Sequence, residues 1–173
     1  MDAVHPDALA ARSDALTGLP GRDAARARLA EWLDRGEPVH ALLVGLRRFD
    51  AVNLAYGSAA GDAALGEVAA RIRHFAHGEL DGAWIAARGG GGQFLLLSTE
   101  PCSRERWQLV STQLLDALAG PIAVGGNTLR LSPRGALLRS LGGEDADSLL
   151  DRLGQTLASV MAAPARRLGW ADG

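Results

Sequence analysis

What this chain can do chemically is narrowed first by its basic residues, all of which are arginine. Without lysine there is no Schiff base, no Walker-type phosphate loop and no ammonium to sit on a leaving phosphate. Arginine holds phosphate through a bidentate fork and needs no metal to do so. The adjacent pair Arg47 and Arg48, just ahead of a helix start, is therefore a candidate contact for a nucleotide triphosphate; the plainer alternative is a solvated pair at a strand end. His74 and His77 stand three apart on a helix but have no third metal ligand in pattern, so they read as exposed polar residues. Trp32, Trp84, Trp107 and Trp170 read as core or interface anchors, since no basic stripe accompanies them. No nucleophilic triad, zinc spacing or phosphate loop is present at a workable spacing. One feature remains, the run Gly89–Gly92. Each glycine costs about 0.5–1 kcal/mol relative to alanine in a regular element, so four together select bare backbone over side chains.

The elements that must hold these residues follow from periodicity. Ala83–Ala87 and Phe94–Leu97 read as strands, which makes the glycine run the tip of a hairpin. Before it, an amphipathic helix from Asp23 stops at Gly36, and Val39–Leu46 is apolar enough for a central strand covered on both faces. Phe49–Tyr56 is a short helix, Gly57–Gly61 a break, and Asp62–Ala76 a longer helix. After the hairpin, Pro101–Leu118 reads as a helix opened near Ser103. Pro121–Val124 and Leu129–Leu138 read as strands joined through Gly125, Gly126 and Asn127, with Pro133 marking a bulge or an edge. A last helix runs from about Asp147 to Met161.

A chain of 173 residues with 47% hydrophobic content buries one good core, so one domain is expected. A net charge of -2 supplies no field for duplex nucleic acid. The single Cys102 excludes an internal disulfide and fits a reducing compartment, so a cytoplasmic location is expected. No apolar run reaches membrane-spanning length and the N-terminus has no secretory pattern, so no membrane contact is expected of this fragment.

Two motifs carry a resemblance. Asp14–Arg22, DALTGLPGR, is similar to the DxLTGLxNR opening of GGDEF domains, the diguanylate cyclases that make cyclic di-GMP from two GTP molecules; Gly21 replaces the usual asparagine. Arg88–Phe94, RGGGGQF, resembles their signature hairpin, the five signature letters falling on Gly90, Gly91, Gly92, Gln93 and Phe94. The resemblance implies an α+β (α/β) fold with a five-stranded, largely antiparallel central sheet flanked by helices, spanning residues 14–168. Residues 1–13 would be an N-terminal tail or the end of a connecting helix, and residues 169–173 a C-terminal tail.

In the family, divalent cations bridge the phosphates, and such hard cations need carboxylate oxygens. The resemblance places one family ligand at Gly45 and the other at Gly92, with the neutral Gln93 at the assisting fourth letter. In the stretch Gly45–Leu54, Arg47 takes the second aspartate's place and Asp50 the lysine's. No metal, no cofactor and no cyclase activity are therefore expected. Asn53 and Asp62 fall where the family reads guanine, with Tyr56, Gly57 and Gly61 retained between them; the alternative is that Asp62 caps a helix and Asn53 bonds nearby backbone. The family's product-inhibition motif RxxD would fall on Asp81 and Trp84, neither of which fits. Met161 falls near the family's C-terminal lysine, and Arg166 and Arg167 are unaligned stand-ins.

The expected function is an inactive GGDEF domain acting as a regulatory or protein-interaction module in cyclic di-GMP signalling, within a longer GGDEF–EAL protein. The alternative is a guanine-nucleotide switch without cyclase activity. The expected partners are another signalling protein or an adjacent EAL-type domain, with GTP as a candidate ligand and a homodimer as an allowed arrangement.

Overall fold

The computed structural model describes residues 14–171, so the tail expected over residues 1–13 lies outside the described part. The elements, in order, are α1 (Arg22–Asp34), β1 (Val39–Arg47), α2 (Phe49–Tyr56), α3 (Ser58–Glu79), β2 (Trp84–Gly90), β3 (Gln93–Ser98), α4 (Arg104–Leu118), β4 (Ile122–Val124), β5 (Asn127–Leu129), β6 (Ser132–Ser140), α5 (Ala146–Ala162) and β7 (Leu168–Trp170).

Five strands make the central sheet in the order β2-β3-β1-β6-β7, antiparallel except for the β6–β7 pair. β1 lies at the centre because it is apolar on both faces, and alternation along it divides the core in two. Leu42, Val44 and Leu46 meet α3 and α4 on one face, with Leu65, Val68, Ile72, Trp107 and Leu114 opposite them. Val39 and Ala41 meet α1 and α5 on the other, with Leu29, Trp32, Leu149, Leu153 and Leu157. Each fully buried large apolar side chain contributes about 1.5–3 kcal/mol, so the two layers hold the sheet rigid between them. The helix starts follow local chemistry: Ser103 accepts from the Arg106 amide at 3.0 Å, and Asp145 accepts from the Ser148 amide at 3.0 Å.

Three expectations need correction. The break expected over Gly57–Gly61 narrows to Gly57 alone, because α3 already begins at Ser58. Asp62 therefore sits inside the helix and does not cap it. The strand expected over Leu129–Leu138 is two strands, with β5 closing a separate ribbon on β4 and β6 entering the main sheet. Pro133 is tolerated next to β1 because β7 pairs only with Gly135–Leu137, so no strand on that side asks for its missing amide. The fifth strand of the sheet is β7, which takes in Gly169 and Trp170 from the stretch expected as a C-terminal tail. Three residues carry too little periodicity to announce a strand; the Ala171 amide bonding the Leu137 carbonyl at 2.7 Å fixes it.

Candidate functional site

The hairpin tip is anchored from below. Gly90 and Gly91 adopt φ of 97° and 54°, while Gly89 and Gly92 do not need positive φ, so only half of the glycine run is demanded by the turn. The Arg88 guanidinium donates to the Gly91 carbonyl from Nη2 at 2.8 Å and to Asp14 Oδ2 from Nη1 at 3.1 Å. Asp14 in turn accepts from the Thr17 amide and hydroxyl at 2.9 and 2.8 Å. Burial disfavours the Asp14 carboxylate, but the Thr17 hydrogen bonds and the Arg88 guanidinium more than offset it and hold its pKa below the usual aspartate value. The two motifs recognised in the sequence are thus one structural clamp, also joined by the Arg88 amide bonding the Pro20 carbonyl at 2.9 Å.

Above this clamp, the end of β1, α2, the first turns of α3 and the hairpin enclose a cleft of about 450 Å³. Arg48, Asn53, Asp62 and Gly92 all line it, as do Asp50, Arg88 and Met161. Asn53 is held by a close approach of α2 to α3: a Cβ on Gly61 would lie 1.8 Å from Asn53 Oδ1, so glycine is required there. Arg88 and Asp50, to which the sequence assigns no binding role, also face the cleft.

The remaining candidates do not meet there. Gly45 is buried under α5, where a Cβ would lie 3.1 Å from both Leu157 Cδ2 and Met161 Sδ. Arg47 turns away to donate to the Pro164 carbonyl at 3.5 Å, and it lines a second groove on the far side of α2. Gln93 points to a small cavity shared with Arg22 and Leu43, away from Asn53 and Asp62. Arg47 and Arg48 therefore do not both face the cleft of Asn53 and Asp62; Arg48 lines that cleft, and the two arginines line the second groove together.

The side chains present do not fit a divalent cation at the two family positions. Position 92 has room, since a Cβ there would meet Leu46 Cβ at an ordinary 3.4 Å, but it supplies no oxygen from a side chain. Position 45 has neither oxygen nor room, and a thioether with a leucine methyl is no ligand set for a hard cation. Among the described residues no cluster of three His, Cys, Asp or Glu side chains is placed to hold a metal ion. Nor, among them, is any helix long and apolar enough to cross a membrane.

Residues 11–167 match the family described as diguanylate cyclase, GGDEF domain. The protein y4lL of Sinorhizobium fredii is 35% identical over 124 residues, covering 70% of this chain and 14% of that protein. The cyclic di-GMP phosphodiesterase NbdA of Pseudomonas aeruginosa is 30% identical over 152 residues, covering 85% of this chain and 19% of that one. The chain thus spans less than a fifth of the length of either relative. Among solved structures, the isolated GGDEF domain of TpbB (YfiN) from Pseudomonas aeruginosa superposes with a TM-score of 0.80 at 26% identity, covering 92% of this chain and 94% of that one.

Proposed function

The chain belongs to the GGDEF diguanylate cyclase domain family, and on that footing we propose that it is a catalytically inactive member acting as a regulatory or protein-interaction module in cyclic di-GMP signalling. The observation that carries this reading is at Gly45. Where the family's first metal-binding aspartate would stand there is no side chain, and Leu157 and Met161 crowd the position at which its Cβ would lie. Gly92 removes the second carboxylate, and Arg48 and Arg88 offset the charge of Asp50 and Asp62 in the same cleft. A cation brought there finds no side-chain oxygen at either of the two family positions.

The module works within a longer protein, adjacent to an EAL-type domain. The small share of its relatives' length that it matches, together with the cyclic di-GMP phosphodiesterase activity of NbdA, favours this arrangement. Incubation of the chain with GTP and either magnesium or manganese, followed by chromatography, yields no cyclic di-GMP. A product peak above the enzyme-free control would overturn the reading.

A second reading is favoured by one observation: Asn53 and Asp62 share a cleft of nucleotide size. In it the domain binds GTP as a switch without turning it over. Calorimetry separates the two, since the switch requires GTP binding that Asp62→Ala abolishes, whereas no heat at millimolar GTP leaves the interaction module.

A further inference from the structure

We propose that the groove on the far side of α2, lined by Arg47, Arg48, Arg130 and Tyr56, is a metal-independent nucleotide-binding site. It encloses about 400 Å³. Its three guanidinium groups come from three segments: the end of β1, the residue preceding α2, and the link between β5 and β6. The register that sets Arg47 opposite Ser132 brings that link alongside. No carboxylate lines the groove. Among the described residues, none of the three arginines takes part in an ion pair. Arg47 makes only the long bond to the Pro164 carbonyl. Beside it Arg134 is 7% exposed and has two carbonyl partners, but its Nε has none. Burial, and after it the charges of Arg47 and Arg167, lower its affinity for its proton.

The backbone gives an independent sign. Among the described residues ten glycines take positive φ, and Arg48, at φ 62° and ψ 26°, is the one other residue that does. A left-handed conformation disfavours any side chain, so an arginine kept there points to a use for its guanidinium. Phosphate is the anion that matches convergent guanidinium forks. Apart from Ser132, the groove's other lining is apolar, with Val52, Ala55 and Leu131 forming the wall beside the half-exposed Tyr56 ring. A planar base stacks on such a ring, whereas inorganic phosphate would leave it unused. The site is separate from the cleft of Asn53 and Asp62 and shares only Arg48 with it.

ATP is the probe, because the other cleft is read for guanine, and the titrations are run in EDTA by calorimetry. ATP saturates the protein, inorganic pyrophosphate binds about tenfold more weakly for want of a base, and added salt weakens both. Arg130→Ala and Arg48→Gly each weaken ATP by about tenfold or more, while Asp62→Ala leaves it unchanged. Arg48→Gly also melts at a higher temperature than the wild type, since glycine relieves the left-handed backbone, so its loss of affinity is not a folding defect. No saturable heat at millimolar ATP overturns the proposal. So does binding that survives Arg130→Ala but not Asp62→Ala, or equal affinity for ATP and pyrophosphate.

Discussion

The crowding at Gly45 is measurable as a coupling between two residues 116 positions apart in sequence, Gly45 and Met161. In Gly45→Ala the new methyl would lie 3.1 Å from Met161 Sδ and Leu157 Cδ2, tighter than ordinary contact. Overpacking of this kind costs about 1–3 kcal/mol, less the few tenths regained when alanine replaces glycine in a strand. Met161→Ala alone costs about 1–2 kcal/mol, below the usual core range because Met161 is only half-buried. With Met161 shortened, the methyl at position 45 enters vacated space, so the double variant is more stable than the sum of the singles by about 1–2 kcal/mol. Urea unfolding with unchanged m-values reads each energy. Gly92→Asp is the control: its Cβ would be 3.4 Å from Leu46, and it shifts stability by about 0.5 kcal/mol or less. Additive singles, within about 0.3–0.5 kcal/mol, would refute the idea that Met161 plugs the place of the missing carboxylate.

Two further outcomes test the positioning of the cleft. Asp14→Asn weakens the clamp under the hairpin and costs about 1–3 kcal/mol at neutral pH. Because the folded carboxyl titrates below its unfolded value, its contribution is whole above that unfolded value and disappears as pH falls through the folded one. The stability gap between wild type and Asp14→Asn therefore closes as pH falls through the folded carboxyl's lowered pKa, and a gap that persists in stronger acid would contradict the charge assignment. Gly61→Ala sets a methyl 1.8 Å from Asn53 Oδ1 and costs about 1–3 kcal/mol by forcing α2 off α3. Adding Asn53→Ala recovers most of that loss, and a failure to recover it would mean that the contact is not what requires glycine.

The fold was legible where periodicity was strong. The two-faced apolar run of β1 and the helix opened at the capping residue Ser103 stand where the sequence puts them. It was illegible where pairing rather than pattern decides. β7 exists because Gly135 and Leu137 offer free edge groups, and α3 runs back through Gly61, where Asn53 occupies the space a side chain would take. In the site, Asn53, Asp62, Arg48 and Gly92, which motif spacing singles out, line one cleft. What spacing cannot express is direction: Arg48 lines both hollows beside α2, whereas Arg47 lines only the one away from Asn53 and Asp62. Likewise Met161, a helix residue far along the chain, covers Gly45 only once α5 lies on the sheet.

The helix α2 has eight residues and none of them is buried. It is a thin partition with a hollow on either side and one shared guanidinium, that of Arg48, at its head. A single charged group cannot swing both ways at once, so whatever engages it from one hollow withdraws it from the other. Two occupants would thus compete across a wall without touching, and by linkage each would weaken the other by the same factor.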